Sequence, residues 1–457
     1  FNLFFRKNPF EGGFTIAAGL DYVVDYCKNL QFELGELEYL RKMKQKDGSA
    51  MFEAAFLDYL RDLRFTCDID AVEEGTVVFP NAPMVQVRGS LIQCQLLETP
   101  LLNILNFQTL IATKAARINL AAKGAPVLEF GLRRAQGIDG ALAASRASYI
   151  GGCTSTSNVM AGKLFDIPVS GTHAHSWILS FDSELEAFHA YAEAFPDHCV
   201  FLVDTYDTLS GVKNAIQVGL SLRQKGKEML GIRIDSGDLA YFSIQARQLL
   251  DEAGFPEAKI YASNDLDEYI ITSLKSQDAA IDVWGVGTKL VTAFDQPALG
   301  AVYKLSAIKN EAGNWEPKVK VSQQSLKINV PGIHKVRRYF SKDKAVADMI
   351  YLEGQEIDPK GVMIIDPNDA TQRKRLMPAF YEAEELLKPI FRNGELVYSL
   401  PSLQAIRERA QVQLSAFDKT HKRLTNPHVY PVGLEERLHQ LRMELVIAAK
   451  TNQHEDN

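Results

Sequence analysis

The sequence predicts an α/β protein: an irregular (β/α) barrel of seven to eight parallel strands, a discontinuous α/β sandwich domain and a helical C-terminal region. Three observations carry that expectation. Between 125 and 306, short apolar runs recur at intervals of about 20–30 residues, each ending in a polar or glycine-rich tip before a helical stretch. After 306 that pattern stops and charged, Pro- and Gly-punctuated short strands take over. Near the end, LPSLQAIRERAQVQLSAF and GLEERLHQLRMELVIAA are both amphipathic at helical spacing.

The elements follow in order. FNLFFRKNPF alternates like a strand entered in mid-course, so the sequence predicts further chain ahead of Phe1. Glu11-Gly-Gly-Phe14 is a turn, and residues 16–44 carry helical periodicity. Thr76–Phe79 and Met84–Val87 flank Pro80-Asn-Ala-Pro83 as a hairpin-like or edge-strand pair. Residues 101–123 read as one long helix, stopped by Gly124 and Pro126, and 1–124 form the first part of the sandwich domain. Between 125 and 306, strands are expected at 127–131, 149–152, 167–171, 199–204, 229–234, 259–263, 281–287 and 301–306. So many βα units in one run fit a closed barrel better than an open sheet, and a barrel puts its chemistry where strands end. Residues 307–370, with strands near Val319–Val321 and Val336–Phe340, are expected to return to the sandwich domain. From 371 to 457 helices dominate, and the tail TNQHEDN frays.

A chain of 457 residues has about three domains as a soft prior and ample length for a core. Apolar residues make up 46% and charged residues 23%, which excludes disorder, collagen and a coiled coil. With 50 Lys and Arg against 57 Asp and Glu the net charge is −7, which argues against a nucleic-acid partner. The five cysteines are odd in number and form no CxxC, which disfavours a disulfide framework or zinc site and fits a reducing, cytoplasmic setting. The stretch between Glu98 and Lys114 is too short and too polar to span a membrane, and no signal peptide is visible.

The strand tips hold the chemistry. Glu129-Phe-Gly-Leu-Arg-Arg134 sets two guanidinium groups just past a strand; such groups bind phosphate or carboxylate bidentately, although a lone pair more often meets surface acids. In Gly171-Thr-His-Ala-His-Ser176, residues two apart in an extended segment face the same side, which puts His173 and His175 on one cleft. That pair suits metal ligation, acid–base or nucleophilic work, or plain hydrogen bonding; no third His or Cys lies nearby in sequence. Arg233-Ile-Asp235-Ser-Gly-Asp238 shares a face in the same way and opens a helix with Ser-Gly. Ser263-Asn264-Asp265 and Gly285-Val-Gly287-Thr288 repeat the theme. Each is weak alone; five in one barrel point to a sugar-bearing ligand with several phosphates, with acids for ribose hydroxyls or Mg²⁺. There is no P-loop and no GxGxxG after a strand.

Together these segments resemble the nicotinate phosphoribosyltransferases, of the type II phosphoribosyltransferase family. The motifs are EFGLRRAQG (129–137), GGCTSTSNVMAGKLF (151–165), GTHAHSW (171–177), LVDTYDT (202–208), GIRIDSGDL (231–239), YASNDLDE (261–268) and DVWGVGTKL (282–290), with FRKNPFEGGFTIAAGL (5–20) and NFQTLIATKAARI (106–118). The resemblance implies coupling of nicotinate and phosphoribosyl pyrophosphate to nicotinate mononucleotide and pyrophosphate, with Mg²⁺, and with ATP as co-substrate acting through a phosphohistidine. It implies that His175 is the phosphorylated residue and that Asp204 orients it. Arg133 and Arg233 grip the phosphoribosyl group and the base, Asp235 contacts base or ribose, and Phe130 stacks on the pyridine. Asn264, Asp265, Gly285, Gly287 and Thr288 hold ribose and phosphate. A homodimer with shared active sites is also implied; the family's stacking Tyr from an N-terminal segment does not appear in this sequence.

In the similar nicotinamide enzyme, an Asp stands in the tip after the second strand. Here that tip is Cys153-Thr154-Ser155-Thr156, with Ser155 in about that place. Hydroxyls from Thr154 and Ser155 welcome a carboxylate that an Asp repels, which favours nicotinate. The rivals are a nicotinamide- or quinolinate-using relative, a non-catalytic nucleotide-binding protein on the same scaffold, and an unrelated barrel aldolase or epimerase. The last would want a Schiff-base Lys or a metal cluster at the tips, and the sequence offers neither.

Overall fold

The computed structural model describes residues 1–322 and 328–455, with side chains as far as Thr451. Three six-stranded sheets organise it. The first is antiparallel, in the order Val302–Lys304, Asn2–Phe4, Val85–Arg88, Asp68–Val72, Leu387–Arg392, Glu395–Leu396. The second is wholly parallel, in the order Ser155–Thr156, Val127–Glu129, Val283–Val286, Lys259–Ala262, Gly231–Ile234, Val200–Leu202. The third is mixed: Arg373–Leu376, Val362–Ile365, Val432–Glu435, Lys344–Leu352, His334–Ser341, Glu382–Glu385.

The parallel sheet has six strands where the sequence suggested seven or eight. Tyr149 and Ile150 end the helix Ile138–Ile150 rather than starting a strand. An apolar doublet after an Ala-rich run reads either way, and here the helix continues until Gly151 and Gly152. A side chain at Gly151 would meet the Ala112 carbonyl oxygen at 2.3 Å, so the glycine lets this helix end close against its long neighbour. The run 301–306 does contain a strand, but it joins the first sheet, antiparallel to Asn2–Phe4. The run 167–171 forms one bridge, Thr156 to Val169, flanked by backbone bonds between Thr156 and Pro168 and between Ser170 and Thr156. A few residues on, the Leu202 N–H donates to His173 Nε2 at 3.2 Å. The segment 168–173 thus spans from one edge strand of the sheet to the other.

The long helix Glu98–Ala122 ends on Lys123, whose φ of +50° begins the turn continued by Gly124. It packs against the helices Ile138–Ile150 and Glu268–Ser276, and a single hydrophobic core runs from the first sheet into the second. The residues Thr76–Phe79 and Met84–Val87 do not pair with each other: Val77–Val78 pairs Thr15–Ile16, while Val85–Arg88 lies within the first sheet.

The chain beyond 306 is more strand-rich than the sequence suggested. Residues 334–352 and 362–365 build the third sheet with Arg373–Leu376, Glu382–Glu385 and Val432–Glu435, and the return to the first sheet comes at 387–396. Val319–Val321 forms no strand. The edge strands read RKRL and EAEE, charged as exposed edges are, and so give no apolar signal. The two amphipathic stretches do form helices, Leu403–Ala416 and Glu436–Glu455; within the tail, residues 456–457 lie outside the described residues.

Candidate active site

Alternation along each parallel strand sorts its side chains onto two faces. The pairings Leu202↔Arg233↔Tyr261↔Val283 and Gly285↔Leu128↔Ser155 put these residues on one face. Two residues further along each strand, Asp204, Asp235, Ser263, Gly287 and Phe130 continue that face at the carboxyl ends. The opposite face carries Phe201, Ile232, Ile260, Trp284 and Val127, all buried beneath the helices. The polar residues singled out in sequence therefore gather because their register places them together.

The centre of the cluster is Arg233. Its Nε donates to Ser263 Oγ at 2.8 Å, its Nη1 to Thr172 Oγ1 at 2.8 Å and its Nη2 to Asp235 Oδ1 at 2.8 Å. Ser263 Oγ also donates to Asp235 Oδ1. Burial works against a charged Asp235, but Arg233 foremost, then the Ser263 hydroxyl and His175, hold its carboxyl below the usual range. The fork of Arg233 is thus fixed before any ligand arrives, and its Cζ lies 5.7 Å from the centre of the Phe130 ring.

His175 begins the short helix His175–Ile178. Its Nδ1 lies 3.1 Å from Thr205 Oγ1, and its Nε2 lies 3.8 Å from Asp204 Oδ1 and 3.7 Å from Asp235 Oδ2. The ring is 39% exposed, while the Asp204 side chain is buried. Asp204 Oδ2 accepts the Asp235 N–H at 2.8 Å and the Ser236 hydroxyl at 2.6 Å. Its Oδ1 is buried with no hydrogen-bond partner. His173 is different. It is buried, its ring meets Tyr191 edge-on at 4.8 Å, and desolvation pushes its pKa down to about 4. It is a neutral packing residue and does not share the cleft with His175.

Phe130 is held from below by two glycines. A Cβ on Gly285 would stand 2.9 Å from the Phe130 ring, and one on Gly287 would stand 3.1 Å from its carbonyl oxygen. Arg133 is exposed on the turn Leu132–Arg134. Asn264 and Asp265 are exposed at the next tip, both with left-handed backbone, φ +100° and +44°. Thr288 opens the short helix Thr288–Val291. Thr154 gives its hydroxyl to the Val127 carbonyl, 3.2 Å away, and so anchors its strand. Ser155 is buried with its Oγ unpartnered, on the face that carries Arg233. Sequence reasoning missed the supporting hydroxyls of Thr172, Thr205, Ser236 and Ser263. All lie inside the quoted motifs, but nothing in sequence says which hydroxyl meets which charge. A separate cleft of about 1080 Å³, lined by Arg6, Lys7, Asn81, Gln296 and Asn426 among others, shares no lining residue with this cluster.

Two family models match the chain: the nicotinate phosphoribosyltransferase N-terminal domain over residues 1–106 and the C-terminal domain over residues 333–442. The chain is 45% identical to the nicotinate phosphoribosyltransferase of Bacillus subtilis, across 100% of this chain and 92% of that one. It is 34% identical to that of Homo sapiens, across 96% of this chain and 91% of the relative. The crystal structure of human nicotinic acid phosphoribosyltransferase aligns with a TM-score of 0.84 at 32% identity, covering 97% of this chain and 95% of that one.

Proposed function

The chain belongs to the nicotinate phosphoribosyltransferase family, and we propose that it joins nicotinate to phosphoribosyl pyrophosphate in NAD salvage, releasing nicotinate mononucleotide and pyrophosphate. ATP is hydrolysed alongside, through phosphorylation of His175. The observation that carries the reading is the pre-set Arg233 fork, flanked by the Phe130 ring on one side and the His175–Asp204–Asp235 group on the other.

The residues divide the work. The bond from ribose to pyrophosphate breaks with oxocarbenium-like character, and the pyridine nitrogen attacks the exposed carbon. Phe130 offers its face to the pyridine, and Arg233 with Arg133 grips carboxylate and phosphate oxygens. The unpartnered Ser155 hydroxyl on the same face favours nicotinate, whose carboxylate an Asp there would repel. Asn264 and Asp265 hold ribose hydroxyls, while the backbone at Gly287 and Thr288 approaches phosphate; Gly285 lies in its strand beneath the Phe130 ring. Thr205 holds one ring nitrogen of His175 and leaves the other facing the two carboxylates. Mg²⁺ fits Asp204 Oδ1, a buried oxygen with no partner, and Asp235 Oδ2, since this ion takes one or two carboxylates and completes its shell with phosphate and water. Bound there it would supply charge neutralisation for a pyrophosphate leaving group.

The working unit in this reading is a homodimer with shared sites. Val159, Met160 and Leu164, exposed along the helix Val159–Phe165 directly after the Ser155 strand, support it. A cytoplasmic setting fits five free, buried cysteines, and no helix among the described residues is long and apolar enough to cross a membrane. The test is stoichiometry. With phosphoribosyl pyrophosphate, Mg²⁺ and nicotinate, the protein should yield one mononucleotide and one pyrophosphate per nicotinate consumed. Pyrophosphate release without mononucleotide, or neither product, overturns the reading.

A further inference from the structure

The helix-covered face of the parallel sheet is apolar except at one place. Against Phe201, Ile232, Ile260, Ala262, Trp284, Val286 and Val127 stand only Glu129 and its paired neighbour Thr156. Glu129 is 1% exposed, and among the described residues no cation pairs with it. A carboxylate is costly to bury there, so its hydrogen bonds must account for its presence. Its Oε2 accepts from Ser145 Oγ at 2.8 Å and from Thr156 Oγ1 at 2.6 Å. Its Oε1 accepts the Gly131 N–H. The two hydroxyls continue the network to Asn158, whose N–H donates to Thr156 Oγ1 at 3.0 Å and whose side-chain amide donates to Ser145 Oγ at 3.2 Å. The carboxylate therefore joins the helix Ile138–Ile150 and the Ser155 strand to the backbone of the turn that follows Phe130.

That turn is the one presenting chemistry. Phe130 is fixed by its own N–H to the Val286 carbonyl at 2.8 Å, and Gly285 lies close under its ring. Beyond it, in the stretch leading to Arg133, Gly131 is the point gripped from below. A Cβ at Gly131 would stand 2.3 Å from Val291 Cγ1, so the turn is pressed close against the helix Thr288–Val291 as well.

We propose that Glu129 is a positioning residue for the base site: its buried carboxylate grips the Gly131 N–H and so sets where Phe130 stands relative to Arg233. This rests on the reading of Phe130 as the platform for the pyridine. Glu129 touches no substrate itself. Loss of the grip leaves Gly131 N–H unpaired and lets the turn drift, which weakens base binding and leaves the phosphoribosyl pyrophosphate contacts of the other tips in place.

Two measurements on the full chain test this, one independent of turnover. In Glu129→Ala, amide hydrogen exchange across residues 130–135 rises at least about tenfold over wild type, while exchange in the 259–262 strand stays unchanged. In the same variant KM for nicotinate rises about tenfold, while kcat and KM for phosphoribosyl pyrophosphate move less than about threefold. Glu129→Gln largely rescues both, since its amide oxygen still accepts the Gly131 N–H and its NH₂ donates to hydroxyls that can turn to accept. If Glu129→Ala does not fold, Thr156→Val removes one hydroxyl support and moves both readings in the same direction, by about threefold. A lower melting temperature with unchanged exchange at 130–135 overturns the proposal, as does a KM rise shared equally by both substrates. If wild type proves inactive with nicotinate, the functional reading falls, and the exchange measurement still decides whether Glu129 holds the turn.

Discussion

Gly285→Ala tests the Phe130 platform with a single carbon. The added Cβ stands 2.9 Å from Cδ2 and 3.0 Å from Cε2 of Phe130, with Ser263 Cβ at 3.4 Å. Non-bonded carbons rest at about 3.5–4.0 Å, so the ring must withdraw by roughly 0.5–1 Å. The Phe130 N–H bond to the Val286 carbonyl fixes the backbone, which leaves rotation of the ring as the escape. Overpacking of this kind costs about 1–3 kcal/mol of stability. A displaced ring also forfeits most of an aromatic stacking interaction of about 0.5–1.5 kcal/mol. That corresponds to a KM for nicotinate roughly 2- to 10-fold higher. The assay is steady-state kinetics with nicotinate and phosphoribosyl pyrophosphate varied in turn, alongside a thermal melt. Adding Phe130→Leu to Gly285→Ala should recover the stability, because the smaller side chain leaves room, and should keep the raised KM. A Gly285→Ala protein that melts earlier yet keeps its wild-type KM for nicotinate would show that the ring is not the platform, and the argument would fail.

Three other outcomes are expected. His175→Ala abolishes stimulation by ATP and leaves some basal transfer; ATP coupling unchanged in that variant sinks the phosphohistidine role. Burial holds the folded-state pKa of both His173 and His334 at about 4, below their unfolded value, so each contributes stability that is complete above about pH 6.5 and is lost as pH falls towards 4. Each contribution is on the order of 3 kcal/mol at most, and urea midpoints at pH 7 and 4.5 should show a pH dependence that His173→Gln roughly halves; an unchanged dependence refutes it. Arg338 is fully buried, bonds Asp348 through two nitrogens at 2.8 and 2.7 Å, and donates to the Val77 carbonyl at 2.7 Å. Arg338→Met strands the Asp348 carboxylate and should cost about 3–5 kcal/mol by chemical denaturation, while Arg338→Met with Asp348→Leu recovers much of it.

Five of the six parallel strands were legible because each is a largely apolar run closed by a polar or glycine-rich tip, as at Val200–Leu202 before Asp204 and Gly231–Ile234 before Asp235. Register then did what spacing implied, putting Arg233 and Asp235 on one face with Ser155. The reading of a two-residue spacing as a shared cleft failed for His173 and His175. The chain turns into a helix at His175, so alternation stops there, and His173 packs among aromatic rings. Ser155–Thr156 was hidden because a two-residue strand of hydroxyls has no apolar pattern, while Tyr149 and Ile150 supplied a false one. Glu129 was quoted in a motif without its role being seen, since a buried acid on an otherwise apolar face is visible only once the neighbouring strands are aligned. Of the third sheet, the sequence showed Val336–Phe340, which lies within the strand His334–Ser341, while its edge strands stayed illegible for the opposite reason: they are nearly all charge.

The central claim is that this face of the sheet receives nicotinate, and base choice tests it most directly. The measurement is kcat/KM for nicotinate, nicotinamide and quinolinate in turn, with phosphoribosyl pyrophosphate and Mg²⁺, each with and without ATP. The account predicts mononucleotide from nicotinate, raised by ATP, and little from the other two. Preferred turnover of nicotinamide or quinolinate would contradict the assignment of Ser155 and Arg233 to the nicotinate carboxylate.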